Sequence, residues 1–119
     1  MLRLLAIAAT VVNVMFGLAV GATRGAVFYR IGLPSPLPFY ADILAVFLVG
    51  TGLAFIPAVR DPRPYRVYLW VVGAGVKLVV AGLFLHVWIL GLTGWSILIG
   101  VIVDGAIGAG FVYGLLKEK

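Results

Sequence analysis

Cysteine is absent from the 119 residues, and histidine occurs once. The first absence removes disulfides, thiolate metal sites, iron–sulfur ligation and thiol nucleophiles together. The lone imidazole, His86, makes no conventional metal centre, so no metal site is expected. Acidic residues are scarce as well. The four of them, Asp42, Asp61, Asp104 and Glu118, are scattered along the chain, and no phosphate loop, hydrolase elbow or carboxylate pair is found. An enzyme is therefore the least favoured class. Charged residues make up 11% of the chain and apolar ones 64%. A soluble domain is nearer half apolar and a quarter charged, which excludes an ordinary water-soluble globule. Disorder requires the opposite composition and is excluded too. Sixteen glycines without a Gly-X-Y period rule out collagen but suit closely packed membrane helices.

What is present in abundance is long apolar runs. A spanning helix takes about 20 mainly apolar residues, and four stretches come near or reach that: Leu4 to Ala22, Ala41 to Ile56, Val67 to Leu90, and Ser96 to Leu116. The second is the shortest and is expected to borrow a turn from Phe39 and Tyr40. Residues 1–119 then form one transmembrane domain, an all-α four-helix bundle running up-down-up-down. Arg3 and the apolar run after it resemble a signal peptide, but Val20, Gly21 and Ala22 make a poor cleavage site and the run is too long. The first span is expected to be retained.

Lysine and arginine placement sets orientation. With the N-terminus inside, Arg3, Arg60, Arg63, Arg66, Lys117 and Lys119 fall on one side and Arg24 and Arg30 on the other. Both termini are expected in the cytoplasm of a multi-pass membrane protein. The net charge of +5 reads as a topology signal and an affinity for anionic headgroups, with Arg60, Arg63 and Arg66 as the lipid anchors. Three arginines in one short loop make no nucleic-acid surface. Membrane lipids are the expected partners, with a homo-oligomer or a larger membrane complex around them.

The long first connection, Thr23 to Tyr40, begins with an aromatic and basic stretch suited to the interface, and its Pro34-Ser35-Pro36-Leu37-Pro38 run predicts an extended strut. It serves as a spacer or as a lid over the outer end of the bundle. The second connection, around Arg60-Asp61-Pro62-Arg63-Pro64, is a stiff turn; the third, Gly91 to Trp95, is short and uncharged.

Three polar residues sit where hydrocarbon belongs. At about 1.5 Å of rise per residue, Asn13 lies roughly 14 Å from the inner start of its span, Lys77 roughly 15 Å, and Asp104 roughly 12 Å below the outer start of its own. Thr51 falls at the same level. A charge at that depth costs about 2.5–3.5 kcal/mol on insertion scales. Lys77 and Asp104, of opposite sign on consecutive spans, are expected to pair. Trp70, Gly73, Lys77, Ala81, Phe84 and Trp88 recur at helical steps on one face, so Trp88 joins Lys77, Asp104, Asn13 and Thr51 as a candidate ligand-binding or proton-titrating residue. A register-fixing clamp is the purely architectural alternative. His86 lies half a turn out of phase with Lys77, beside Gly75, Val79 and Gly82, a small-residue face suited to another helix or subunit. A single axial haem ligand at His86 is conceivable and two-histidine ligation would require a homodimer; a hydrogen bond at a helix interface is the expected role. Trp70, Trp95, Tyr40, Tyr65, Tyr68 and Tyr113 gather near span ends as an aromatic belt.

The order of features, an arginine before a glycine-containing first span, proline and acid before the second, Arg60-Asp61-Pro62-Arg63 after it, then Lys77 and Asp104, resembles the small four-helix bacterial membrane proteins grouped as DoxX-like. The resemblance implies a compact bundle, associated in some members with membrane redox complexes and quinone chemistry. No catalytic residue carries over. The expected function is a non-enzymatic accessory or hydrophobic-ligand-binding subunit for a quinone- or lipid-type molecule, with a buried Lys77–Asp104 pair. The alternative is a homodimeric proton-coupled carrier using the same pair. No cofactor is required by the residues; a quinone is the one candidate.

Overall fold

Each apolar run winds into a helix long enough to cross a bilayer. The computed structural model describes residues 1–118 and is all helical, without a strand among them. Helix α1 spans Leu2–Thr23, the short α2 Ala26–Arg30, α3 Pro38–Arg60, α4 Arg63–Ile89 and α5 Ile97–Lys117. Lys119, counted above among the basic residues, lies outside the described residues. The longest dimension is 41 Å, enough for a core about 30 Å thick plus both interfaces.

Prolines explain why two helices exceed the expected spans. Pro38 opens α3, where its fixed φ suits a first turn and its missing N–H costs nothing. At the other end Pro57 bends α3 rather than ending it. The Phe55 N–H reaches back only three residues to the Gly52 carbonyl at 3.1 Å, and the chain then recovers helix to Arg60. Pro64 sits within the opening 3₁₀ turn of α4, so that helix starts at Arg63 instead of Val67. Residues 34–37 have no regular structure, as the proline strut requires. The preceding segment is the helix α2, entered through Arg24 and Gly25, both at positive φ; the Gly25 N–H closes α1 by donating to the Val20 carbonyl at 2.9 Å.

Glycines set the packing. A Cβ on Gly17 would stand 2.8 Å from Val49, and one on Gly52 would stand 3.0 Å from Asn13, so α1 and α3 touch at backbone distance. Gly108 meets Leu78, Gly73 meets Phe111 and Gly100 meets Phe84, which draws α4 against α5 in the same way. These are two tight pairs. They join at the end carrying the termini, where Leu5 fits over Gly110 and Leu2 over Gly114. Phe55 stacks on Phe111 at 5.8 Å and meets Tyr68 edge-on at 5.0 Å, inside a core with Ala6, Ala9, Leu69, Ile107 and Leu115. Toward the opposite, distal end a separate cluster of Val20, Phe28, Ala41 and Ala45 fixes α2 onto α1 and α3. The two pairs diverge there, bridged where Gly32 comes against the Gly94 backbone.

Part of α4 is wound as a π-helix, Leu69–Val76. Bonding i→i+5 turns the chain through fewer degrees per residue than an α-helix. The phase assigned to Trp70 from α-helical steps is lost as a result: Leu69 is fully buried and Trp70 is 38% exposed, while Gly73, Lys77 and Ala81 keep the inward face.

Candidate functional site

Four side chains predicted to share one level do meet. Lys77 on α4 donates from Nζ to the Asn13 Oδ1 of α1 and to the Asp104 Oδ1 of α5 at 3.1 Å. Asn13 passes the network on, donating from Nδ2 to the Thr51 hydroxyl of α3 at 3.2 Å. That hydroxyl donates to the Phe47 carbonyl at 2.8 Å, one turn back in its own helix. Every long helix thus contributes one polar group. Tyr68 adds a member that hydropathy could not reveal, since its hydroxyl donates to the Thr51 carbonyl at 2.7 Å.

Lys77 and Asn13 are buried and Asp104 and Thr51 half-buried: the side chains of Lys77 and Asp104 are 8% and 16% exposed. Its position follows from the packing. It sits at the apex where the α1/α3 and α4/α5 pairs begin to part, and Lys77 reaches across the seam to Asn13. On the termini side the apex rests on the aromatic core. On the distal side it opens into a cavity of about 540 Å³. Val12 and Phe16 of α1, Leu44, Phe47 and Leu48 of α3, Val76, Val80 and Phe84 of α4, and Ile97, Gly100 and Val103 of α5 line it. Ile31 of the first connection and Ser96 contribute at the distal end. The volume falls in the range of small-molecule pockets, about 300–1,000 Å³, and so does the chemistry: apolar walls with a few convergent polar groups. Phe47 at 67%, Val76 at 48% and Leu44 at 37% exposure place its rim on the lateral surface of α3 and α4.

Other candidate residues stand apart from this constellation. Trp88 is 40% exposed and does not line the cavity. It is nearly in phase with Lys77 but about eleven residues further on, roughly 16 Å, and the wall formed by α4 ends a turn earlier at Phe84. His86 is exposed, as are Gly75 and Gly82, and a Cβ on Gly82 would meet nothing within 4 Å. Among the described residues this face touches no other helix at Gly82. No group of three metal-binding side chains occurs among them either.

The three arginines expected at headgroups differ in their engagements. Arg60 is exposed. Arg63 grips Asp61 through Nε at 3.1 Å and through its own N–H at 3.2 Å, and these hydrogen bonds, the side-chain one foremost, hold the Asp61 carboxyl below its ordinary value. Arg66 closes the end of α5, donating to the Leu115 carbonyl at 2.6 Å and to that of Glu118. That is where a helix leaves carbonyls unpaired and favours a cation. Glu118 in turn meets the N-terminal ammonium at 3.2 Å.

Comparison with protein-family models, curated proteins and solved structures finds no match to this chain.

Proposed function

We propose that the chain is a small polytopic membrane protein that binds one apolar molecule in its own bundle, as a non-enzymatic subunit rather than a catalyst. The observation that carries this reading is the distal cavity with a polar floor: about 540 Å³ lined mainly by apolar side chains, with Lys77, Asp104, Asn13 and Thr51 gathered at one end. A cluster serving solely as a register clamp would not require empty volume beside it. A proton-coupled carrier would require the cluster to reach both ends of the bundle, and fully buried Phe55, Leu69 and Phe111 pack the termini side. Within this reading the bundle runs up-down-up-down with both termini in the cytoplasm of a bacterial inner membrane, supported by the basic residues at the termini end and by Met1 meeting Glu118. The DoxX-like resemblance, with a quinone- or lipid-type ligand, belongs to the same proposal. The exposed Gly75, Gly82 and His86 face is where a second copy or a larger complex would dock.

The test is co-purification. Wild type and Val80→Trp, which fills the cavity, are extracted into polymer nanodiscs, and bound small molecules are recovered in solvent and identified by mass spectrometry. One hydrophobic compound near one per chain in wild type, depleted tenfold or more in Val80→Trp, is expected. Equal recovery from both would overturn the reading.

A further inference from the structure

We infer that the molecule held in the cavity has an electrically neutral head, a hydroxyl or carbonyl group, seated on Lys77, Asp104 and Asn13, with its hydrocarbon body lying along Val80 and Phe84. The inference rests on the ligand-binding reading above and narrows it.

Charge counting comes first. Among the described residues, Lys77 and Asp104 are the only ionisable side chains on the wall, and they are joined at 3.1 Å. Their sum is zero, and a proton passed between them would leave it at zero. An anionic head would meet an ammonium already compensated and lie beside the carboxylate. A cationic head would meet the converse. Away from water neither repulsion is screened as it is at a surface. A neutral head avoids both.

Hydrogen-bond capacity separates a neutral polar head from a bare hydrocarbon. An ammonium has three donors. Lys77 uses two, on Asn13 and Asp104. Asn13 has two donors on Nδ2 and gives one to Thr51. Asp104 accepts on Oδ1, and its Oδ2 makes no bond among the described residues. The floor therefore keeps two donors and one acceptor to spare. A carbonyl satisfies a donor; a hydroxyl satisfies a donor and the acceptor together. A hydrocarbon satisfies none, and an unmet buried polar group is costly.

Dimensions fit an elongated molecule. From Lys77 to Phe84, from Asp104 to Ile97 and from Thr51 to Leu44, the lining runs about two helical turns, roughly 10 Å. The exposed rim at Phe47 and Val76 opens to the side, so the tail reaches the cavity from the bilayer without crossing water.

The test uses two photoreactive probes of one chain length, a diazirine-bearing dodecanol and the matching dodecanoate, with the full chain in nanodiscs at neutral pH. Adducts are mapped by mass spectrometry. Labelling of the cavity wall by the alcohol at ten times the carboxylate level or more is expected. Asp104→Asn leaves Lys77 uncompensated and should invert the preference toward dodecanoate. Lys77→Gln with Asp104→Asn restores neutrality and should restore the alcohol preference, which separates the charge effect from loss of fold. Carboxylate labelling equal to or above the alcohol in wild type would overturn the neutral-head inference while leaving the ligand site standing. So would an unchanged preference in Asp104→Asn. Absence of cavity labelling by both probes would overturn the site as well.

Discussion

Lys77 and Asp104 give the sharpest energetic prediction. At 3.1 Å and an effective dielectric constant of about 20, their attraction is about 5 kcal/mol. Desolvation of both groups offsets most of it, so replacing the pair by apolar residues is near neutral, whereas removing one partner strands a buried charge at about 3–5 kcal/mol. Lys77→Met is the harsher single change, because it removes the donor from both Asp104 Oδ1 and Asn13 Oδ1. Asp104→Leu leaves Lys77 its bond to Asn13. Each single variant should lose about 3–5 kcal/mol, and Lys77→Met/Asp104→Leu about 2 kcal/mol or less. The coupling, read from reversible unfolding in bicelles by steric trapping, is then about 4 kcal/mol or more. Additive losses, with a coupling under about 0.5 kcal/mol, would refute a closed pair at the apex. The double variant should also lose ligand while keeping its fold, which a pure register clamp does not predict.

Three further outcomes follow from the packing and the termini. Gly17→Ala and Gly52→Ala each place a methyl within 2.8–3.0 Å of the facing helix and should cost about 1–3 kcal/mol, while Gly50→Ala, with nothing within 4 Å, should be neutral or slightly stabilising. Equal behaviour of all three in the unfolding assay would contradict the α1/α3 seam. Arg66→Gln should cost about 1–2 kcal/mol by releasing the last carbonyls of α5, with faster hydrogen exchange confined to the last turn; unchanged exchange there would count against the cap. Asp61 is held below the ordinary carboxylate value of 3.8 by Arg63. Its folded value is the lower one, so its contribution is present above the unfolded value and lost as pH falls through the folded one. Carbon-13 NMR should therefore place the Asp61 midpoint below 3.8, moving upward in Arg63→Gln; a midpoint at or above 3.8 in wild type would contradict the contact.

The spans and the polar layer were legible in the sequence because two simple quantities determine them, hydropathy over about 20 residues and rise per residue. Depth arithmetic brings Asn13, Thr51, Lys77 and Asp104 to one level without any knowledge of packing. Helix ends were less legible. Whether Pro57 stops a helix or bends it depends on what lies beyond, and here buried Ala58 carries α3 onward. Helical phase failed at Trp70, since nothing in its neighbourhood announces a π-helix. It failed differently at Trp88, where the face was nearly right and the cavity simply ended sooner. The cavity itself was hidden, because glycine serves close packing and open space alike; Gly73 and Gly108 are seams, while Gly100, also against Phe84, lines the void. Nothing in the sequence around Arg66 shows that the last carbonyls of α5 lie within its reach.

The proposed function requires that a molecule with a hydrocarbon body occupy the cavity beside Lys77 and Asp104. Methyl NMR tests it most directly, on the chain in nanodiscs of perdeuterated lipid with protonated dodecanol added. Nuclear Overhauser effects from the dodecanol chain to Val76, Val80 and Leu44 methyls, absent from fully buried Leu2 and Leu115, are the result predicted. Effects confined to outward-facing Val46 and Val71, at 72% and 57% exposure, with none at Val80, would contradict it.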